Sequence, residues 1–341
     1  MPIFDTEGPS LTHAGKTIAL DHGKGEVCFS SHAHSDHSTF LHKARLLYAS
    51  EETISLWQAR SGKTFNGELL SQGNGVKLFN AGHVLGARQI FVEGDGGSFC
   101  YTGDFCATAT ATCQAAIPVE CDELVVECTF GIPRYTFPKR EEIERQIGSW
   151  VQSCLDKQEN VVLGGYSLGK AQELIKIVND YCATAPLANE AISQVSKIYS
   201  RSGCFLDFVE IGTGQAQRLV KKPFVAILPM HTVNYRLAGN LSEYYGRKTR
   251  TAVATGWALD GNKWGVDKAF PLSDHSDFPS LMEFVLATGA KKVYCTHGFE
   301  REFASALQKK GIDASPLNKH DEPAKGELKQ KLVKTLAEYT K

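Results

Sequence analysis

The sequence predicts an α/β protein, and three observations support that fold class. Up to about residue 130, short apolar runs separated by glycine-rich turns have the composition of β-strands. Beyond residue 140, strand-like and helix-like segments alternate, an order that is typical of parallel α/β units. The 341 residues are 42% hydrophobic, enough to bury a sizeable core in one large domain or two ordinary ones.

The elements of the first part follow from these patterns. Strands at residues 17–21 and 26–30 flank the segment His22-Gly23-Lys24-Gly25, which predicts a hairpin-type connection between them. Residues 51–60 are predicted to be helical. Further strands are predicted at residues 46–49, 76–79, 89–93, 98–102 and 124–127.

The later elements continue the alternation to the end of the chain. Helices are predicted at residues 140–155, 169–181, 279–287 and 300–310. Strands are predicted at 161–163, 224–228, 251–255 and 292–295. The tail from Lys319 is highly charged and predicts a surface helix at 326–339.

Composition excludes several classes of protein. The 37 basic and 38 acidic residues nearly cancel, so any phosphate binding must come from a local site. No apolar stretch is long enough to span a membrane, and the first residues lack the pattern of a signal peptide. The ten cysteines form no Cys-x-x-Cys pair and are interpreted as buried free thiols, which predicts a cytoplasmic protein.

The segment His32-Ala33-His34-Ser35-Asp36-His37 is the strongest functional signal, because imidazole and carboxylate at this density predict a transition-metal site. Alternate side chains of an extended backbone project to one side, so His32 and His34 can reach one ion. Asp36 and His37 can reach a neighbouring ion. Each metal needs about four ligands, so further ligands must come from downstream.

Three downstream residues are candidates for these missing ligands. His83 lies in a loop after a predicted strand, and Asp104 and His297 each follow a predicted strand directly. Polar residues at the ends of buried strands are a common functional pattern in layered α/β proteins. Each alone could be a cap or turn residue, but beside the histidine cluster they are predicted to complete two metal sites.

The motifs His-x-His-x-Asp-His, Gly-His-x-x-Gly and Thr-Gly-Asp, in this order, resemble the signature of metallo-β-lactamase-fold hydrolases. A second set narrows the resemblance to the β-CASP nucleases, which include the polyadenylation-factor nuclease subunit, RNase J and Artemis. Its members are Glu127 at the end of a strand, His275 in Ser-Asp-His-Ser-Asp-Phe, and His297 in Thr-His-Gly. The segment from Val161 to Glu173 also resembles the strand–loop–helix of a β-CASP domain.

The resemblance implies a four-layer αββα metallo-β-lactamase fold with an inserted α/β β-CASP domain. The metallo-β-lactamase domain would comprise residues 1–134 and 266–341, and the β-CASP domain residues 135–265. The insertion would cover the metal site and form a slot, which suits a single strand of nucleic acid.

The resemblance also assigns roles at a site with two Zn²⁺ ions. His32, His34 and His83 would bind one zinc, Asp36, His37 and His297 the other, and Asp104 would bridge them. Asp21 matches an early aspartate of the family that orients ligands. A metal-bridging hydroxide would attack the phosphodiester, with Asp36 counted among the catalytic residues.

His275 would donate a proton to the leaving sugar hydroxyl or contact the phosphate, and Glu127 would hold its other ring nitrogen. The alternative is that His275 belongs to a helix N-cap, although Ser276 or Asp277 could cap that helix instead. Ser167, Gly169 and Lys170 lie at a predicted helix N-terminus, which favours phosphate, but an ordinary strand-to-helix turn would account for them too. His231 lies outside every matched motif and is interpreted as a cleft or core residue.

The resemblance favours RNA as substrate, in RNA processing or exonucleolytic decay, because His297 is typical of RNA-acting members. An exonuclease associated with DNA ligase or repair is the alternative, since Thr255-Gly256-Trp257 and residues 265–298 resemble such enzymes. Thioester and lactone hydrolases share the first motifs but lack the insertion and the His275 motif. A catalytically inactive scaffold is disfavoured by the complete ligand set. The sequence leaves open a homodimer and processing or repair partners, and no membrane partner is expected.

Overall fold

The computed structural model describes residues 2–5, 8–94 and 96–317, and it shows a mixed α/β fold. The charged tail and the predicted helix at 326–339 lie outside these residues. The strands of the described part are β1 Pro2–Asp5, β2 Gly8–His13, β3 Lys16–Leu20, β4 Val27–Phe29, β5 Leu46–Tyr48, β6 Glu68–Leu69, β7 Val76–Asn80, β8 Arg88–Gly94, β9 Gly97–Tyr101, β10 Glu123–Cys128, β11 Asn160–Gly165, β12 Leu187–Ala188, β13 Val209–Glu210, β14 Val225–Pro229, β15 Thr249–Ala254, β16 Lys268–Phe270, β17 Lys292–Gly298 and β18 Asp313–Pro316. Its α-helices are α1 Ser35–Ser38, α2 Glu51–Ser61, α3 Arg140–Asp156, α4 Lys170–Cys182, α5 Glu190–Arg201, α6 Gly214–Leu219, α7 Tyr235–Tyr245, α8 Phe278–Thr288 and α9 Glu300–Gln308.

These strands form three six-stranded sheets. The first has the order β1-β2-β3-β4-β5-β6, with antiparallel pairing up to β3 and parallel pairing from β3 to β6. The second has the order β18-β17-β10-β9-β8-β7, parallel from β18 to β9 and antiparallel from β9 to β7. The third, β13-β12-β14-β11-β15-β16, is parallel throughout.

The predicted hairpin between β3 and β4 is wrong, because these strands pair in parallel. The pairing covers only three positions, from Ile18↔Val27 to Leu20↔Phe29. To pair in parallel, the chain must go back about 7–10 Å from the end of β3 to the start of β4, and the six residues 21–26 easily span this distance. The turn starts at Asp21, whose φ of 58° is in the left-handed region.

The first two sheets pack face to face, and alternation along their strands explains how. In β3 and β4, Ile18, Leu20, Val27 and Phe29 face the second sheet, where they join a buried cluster with residues such as Val125. The intervening Ala19 and Cys28 face the opposite way and belong to a different hydrophobic cluster, which also includes Leu56 and Trp57 of α2. On the far side of the second sheet, Phe284 of α8 and Phe303 of α9 cover Val126 and Val293. The order of layers is therefore helix, sheet, sheet, helix, which is the four-layer αββα order implied by the family resemblance.

Local sequence signals determine where the covering helices begin and end. The Ser50 side chain accepts a hydrogen bond from the Thr53 amide at the start of α2, and Gly62 ends that helix with φ 67°. At α8, Asp277 accepts from the Ser280 amide, Pro279 lies in the first turn and Gly289 closes the helix with φ 61°. Because Asp277 is the cap, His275 is free for another role.

The third sheet contains residues from 160 to 270 and packs against α3 and α4 through apolar residues such as Val161, Leu163, Ile147 and Leu174. Its last strand, β16, lies just past residue 265, the predicted end of the inserted domain. All ten cysteines lie within the described residues and are free thiols, seven of them buried. In this part of the chain no helix is long and apolar enough to cross a membrane.

Candidate metal centre and cleft

The predicted site residues meet at one edge of the two packed sheets, because the strands before them run in a common direction within each sheet. β3 and β4 are parallel in the first sheet, and β9, β10 and β17 are parallel in the second, so their carboxyl ends share an edge. At or just beyond these ends lie Asp21, the segment His32–His37, Asp104, Glu127 and His297. His83 joins them from the loop between β7 and β8. Asp21, His83 and His297 all have positive φ values, of 58°, 32° and 55°, a strain that is typical of functional sites.

His32, His34, His83 and Asp104 bring four ligand atoms within 4.8 Å of one another. The Nδ1 atom of His34 lies 3.0 Å from Nε2 of His32 and 3.1 Å from Nε2 of His83. Asp104 Oδ2 is 3.6 Å from His32 Nε2 and 3.8 Å from His83 Nε2. Nitrogen ligands about 2.0–2.1 Å from a tetrahedral zinc lie roughly 3.3 Å apart, so these separations fit one ion.

The hydrogen bonds at the outer nitrogens fix the tautomer of each of the three imidazoles. The partners are the Ser31 hydroxyl for His32 Nδ1 at 2.9 Å, the Leu168 carbonyl for His34 Nε2 at 3.2 Å, and the Asp274 carbonyl for His83 Nδ1 at 2.9 Å. Carbonyls only accept, and the Ser31 hydroxyl already donates to Asp21 at 2.7 Å, so each outer nitrogen carries the proton. Three lone pairs therefore face one another, an arrangement that a bound cation stabilises.

The charge state of these histidines agrees with a ligand role. Burial lowers the pKa of His34 to about 4, and burial is also the main cause of the lowered pKa values of His32 and His83. All three are neutral near pH 7, the form that binds metal. Asp104 is buried, which opposes its charge, but His37 and other nearby histidines hold its pKa well below the usual range.

The second predicted group is more open than the first. His37 is buried, with Nε2 3.5 Å from Asp104 Oδ2 and 3.6 Å from Asp36 Oδ2. The Asp36 side chain is 75% exposed, and His297 is exposed with its ring centroid 5.6 Å from that of His37. Asp36 and His297 thus lie next to His37, which contacts Asp104, and the role of these three residues as a second set of ligands stays a prediction.

Asp21 lies beneath the histidines and accepts four hydrogen bonds. Oδ1 accepts from the Ser31 amide at 2.6 Å, and Oδ2 accepts from the Ser31 hydroxyl, His37 Nδ1 and the Tyr101 hydroxyl at 2.7, 2.8 and 2.9 Å. The bond to Asp21 turns the other ring nitrogen of His37, Nε2, toward Asp104. Burial opposes protonation of His37, but Asp104 and Asp21 outweigh it and raise its pKa to about 10.

Glu127 and His275 form a pair beside the metal centre, as the sequence predicted. His275 Nδ1 lies 2.9 Å from Glu127 Oε1, and the Glu127 carboxylate is buried and also accepts from the Thr129 amide at 2.7 Å. Burial opposes the charge on His275, but the carboxylate of Glu127 raises its pKa to about 10. The His275 ring lies 4.6 Å from the His83 ring, so the pair adjoins the first ligand group.

The predicted phosphate contacts have different environments from those expected. The Lys170 ammonium is 1% exposed and pairs with Glu173 Oε2 at 2.9 Å, and the Gly169 amide donates to Gln172 Oε1 at 2.8 Å. Arg140 also binds Glu173, through its guanidinium. The Lys170 ammonium therefore already has a carboxylate partner within the protein. Of the predicted phosphate contacts Ser167, Gly169 and Lys170, Ser167 is the one that lines the cleft with a side chain not paired to a carboxylate.

A cleft of about 470 Å³ extends from the metal centre to the edge of the third sheet. His34, Asp36, Asp104 and His275 line one side. The other side is lined by residues that follow strands of the third sheet, among them Tyr166, Ser167, His231 and Trp257. His231 is thus a cleft residue, one of the two interpretations left open by the sequence.

Sequence reasoning missed the residues that orient the ligands through partners far along the chain. Ser31 adjoins the histidine motif and could have been suspected from its position, and Tyr101 lies in the strand predicted at 98–102. The Asp274 and Leu168 carbonyls had no sequence signal at all, because a backbone acceptor is independent of residue type. Asp274 is also placed with His83 and His275 as a second group of potential metal-binding atoms.

Known proteins resemble this chain in sequence and in fold. No protein-family model matches the chain. A probable DNA ligase of Opitutus terrae is 32% identical over 311 residues, which cover 84% of this chain and 28% of that protein. An RNase J-like protein of Methanocaldococcus jannaschii is 24% identical over 223 residues, 57% of this chain and 53% of the relative. Subunit 3 of the cleavage and polyadenylation specificity factor of Dictyostelium discoideum is 35% identical over 117 residues, 33% of this chain and 15% of the relative.

The chain thus spans about half the length of these curated relatives or less. Among solved structures, a protein of unknown function from Enterococcus faecalis superposes with a TM-score of 0.58. It covers 87% of this chain and 80% of its own, at 16% sequence identity, so this likeness concerns the fold alone.

Proposed function

Because the chain belongs to the metallo-β-lactamase-fold β-CASP family, we propose that it is a zinc-dependent nuclease that hydrolyses phosphodiester bonds of single-stranded RNA. The observation that carries the proposal is the convergence of three imidazole lone pairs and the Asp104 carboxylate beside the Glu127–His275 pair. That constellation opens into a cleft of about 470 Å³ that extends to residues following strands of the third sheet.

Two zinc ions would be held by these residues. His32, His34, His83 and Asp104 would bind one, and Asp36, His37 and His297 would bind the other with Asp104 shared between them. The donor chemistry fits, since zinc prefers imidazole nitrogen and carboxylate oxygen. When bound, the ions would make water more acidic and neutralise negative charge on the phosphate.

The protein's own residues would position the substrate and move protons. Glu127 holds the Nδ1 proton of His275 and stabilises a positive imidazolium, so the outer nitrogen can donate a proton to the departing sugar oxygen. Asp21 keeps Ser31 and His37 in place through four hydrogen bonds. Of the predicted phosphate contacts, we retain Ser167, which lines the cleft.

DNA is the second candidate substrate. The alternative rests on the 32% identity with a protein named a probable DNA ligase, which extends over 84% of this chain. In that case the enzyme would be an exonuclease that acts in repair. RNA is favoured by His297 and by similarity to an RNase J-like protein. Parallel digestion of 5′- and 3′-labelled single-stranded RNA and DNA decides between the two and reports polarity and endonuclease or exonuclease mode.

Metal content and cleavage together test the proposal. We expect about two zinc ions per chain by elemental analysis of protein purified without chelators. Asp36→Ala and His297→Ala should abolish cleavage without unfolding the protein, whereas His275→Ala should slow cleavage and keep the metal. His42→Ala is the matched control, because His42 is exposed and its Nδ1 bonds only the nearby Thr39 carbonyl at 2.8 Å. A folded protein that binds no zinc, or that hydrolyses only thioesters or lactones, contradicts the proposal.

We also propose that residues 1–134 and 266–341 form the metallo-β-lactamase domain and residues 135–265 the inserted domain. The all-parallel third sheet supports this division. Ten free thiols support a reducing compartment such as the cytoplasm. A homodimer and partner proteins in processing or repair are questions for size measurement and co-purification.

A further inference from the structure

Three neighbouring strands of the third sheet are each followed, within three residues, by an aromatic residue at the same edge. β11, β14 and β15 are adjacent and parallel, with Gly165 paired with Pro229 and Gly164 paired with Val253. Tyr166 directly follows β11, His231 comes two residues after β14, and Trp257 comes three residues after β15. We call these three residues the aromatic edge.

All three rings of the aromatic edge line the cleft that contains the metal centre. Tyr166 is 50% exposed, Trp257 is 36% exposed, and His231 is exposed as well. Leaving large aromatic rings in contact with water gives up the free energy of burying them. Grouped exposure of this kind, in a cleft and not scattered over the surface, is typical of a binding site.

Packing holds the aromatic edge next to the catalytic pair. The Trp257 ring rests on Phe130 with centroids 4.7 Å apart, and on Tyr135 at 5.4 Å. Phe130 in turn lies 6.3 Å from the His275 ring. The space for this packing depends on Gly256, because a Cβ there would lie 2.5 Å from the Phe130 ring. One side of Trp257 is thus fixed against the protein while part of the ring remains exposed to the cleft.

The charged side chains of the cleft bear on how a nucleic-acid strand would bind there. In the described part of the chain, the cleft lining contains one arginine, Arg60, and one lysine, Lys170. The Arg60 guanidinium donates to the Ala33 carbonyl, and Lys170 is paired with Glu173. Asp36, Asp104 and Asp274 line the same cleft. These carboxylates oppose the attraction of Arg60 and His275 for phosphates, so stacking on the bases would add affinity for a strand that the charges of the cleft do not supply alone.

We propose that Tyr166, His231 and Trp257 form a stacking platform for unpaired nucleobases next to the scissile phosphate. This proposal rests on the proposed nuclease function and specifies how the same site recognises its substrate. Aromatic rings stack on every base, so the platform selects single strands without selecting a sequence. Bases in a duplex are already stacked and paired, so they would not reach the platform.

A pair of ligands that cannot be hydrolysed as phosphodiesters tests this inference. Adenosine 5′-monophosphate and ribose 5-phosphate carry the same sugar phosphate, but only the first has a base. Titration of the metal-loaded protein by calorimetry should show that the nucleotide binds about 5- to 100-fold more tightly. In the double variant Tyr166→Ala/Trp257→Ala the two ligands should bind almost equally.

Two controls separate stacking from structural damage. Tyr166→Phe/Trp257→Phe should retain most of the preference for the nucleotide, because the rings remain. Tyr244→Ala removes an aromatic ring that is 81% exposed and does not line the cleft, and should change neither affinity. Circular dichroism and zinc content should match wild type in all three variants.

The outcomes distinguish the two proposals. Equal binding of the two ligands by wild type, including binding of neither, overturns the stacking platform whatever the cleavage assay shows. A preference for the nucleotide that survives in the double alanine variant places the base elsewhere and also overturns it. Absence of cleavage of labelled RNA and DNA overturns the nuclease function but leaves the preference for the nucleotide measurable.

Discussion

Replacing Asp21 by asparagine should weaken zinc binding although Asp21 is not itself a predicted ligand. Its carboxylate faces four donors, one at Oδ1 and three at Oδ2. An asparagine has one oxygen and one NH₂ group. If the oxygen takes the place of Oδ2, the NH₂ group faces the Ser31 amide, and two donors oppose each other. The reverse orientation is worse, because the NH₂ group then faces three donors.

In the better orientation the hydrogen bond from the Ser31 amide is lost, and this buried N–H faces the NH₂ group of the asparagine. The three hydrogen bonds at the other oxygen remain but become weaker, because their acceptor is an amide and no longer a carboxylate. Relief from burying the carboxylate charge offsets part of this loss, so we expect destabilisation by about 2–3 kcal/mol in urea unfolding. His37 and, through Ser31, His32 lose their fixed orientation. Substitution of such orienting residues typically reduces metal affinity by about 10- to 100-fold.

The assay is competition for zinc with a chromogenic chelator, alongside unfolding in urea. Tyr101→Phe is the matched control, since it removes one donor to Asp21 but keeps the carboxylate, and its zinc affinity should fall by much less than that of Asp21→Asn. An Asp21→Asn protein with wild-type zinc affinity and wild-type unfolding free energy would refute the reasoning.

Three other predictions follow from the same region. Glu173→Ala should destabilise the fold by about 3–5 kcal/mol in urea, because Lys170 and Arg140 lose the carboxylate that they share and, among the described carboxylates, only Asp274, with Oδ2 3.8 Å from Lys170 Nζ, remains near the buried ammonium; Lys170→Met/Glu173→Leu should recover part of the loss, and an unchanged single variant would contradict the ion-pair network. Gly169→Ala should lower both stability and zinc affinity, because φ is 89° and a Cβ would lie 2.5 Å from Val84, beside a predicted ligand; a neutral effect in thermal unfolding and zinc titration would contradict this. Removing metal with a chelator should lower the thermal midpoint and adding zinc back should restore it, since ligands that bind the folded state stabilise it; a midpoint independent of zinc would count against the metal centre.

Much of the fold was predictable because periodicity and turn residues are local. The helix predicted at 140–155 is α3 Arg140–Asp156, and the strand predicted at 124–127 is β10 Glu123–Cys128. α5 was missed although Ile192, Val195 and Tyr199 have helical spacing and Asn189 caps the helix. The direction of β4 was mispredicted for a different reason: whether two strands pair in parallel depends on how the chain returns, which short strands do not reveal.

The candidate site was predictable to the extent that chemistry depends on residue type. Histidines and carboxylates that cluster at strand ends seldom serve packing alone, because burying them together is costly, and the structure brings His32, His34, His83 and Asp104 together. The carboxylate that pairs with Lys170 could have been suspected, because Glu173 lies three positions later in the same helix, whereas the contact of Arg140 with Glu173 joins positions 33 residues apart and had no local signal. A lysine after a glycine at a helix start predicts phosphate binding only when no carboxylate already pairs with it.

The loop between β11 and α4 links the two sides of the cleft. Tyr166 belongs to the aromatic edge, and two residues later the Leu168 carbonyl accepts the Nε2 proton of His34. Gly169 follows directly and lies against Val84, the neighbour of His83. A base stacked on Tyr166 would therefore rest on the same short segment that orients His34 and lies beside the neighbour of His83. Because the segment is buried from Leu168 onward and held by Gln172, it has little freedom to move without disturbing His34. Substitutions that move the backbone of Leu168 or Gly169 are for this reason expected to change metal geometry and recognition together, whereas truncating the side chains of Tyr166 or Trp257 should affect recognition alone.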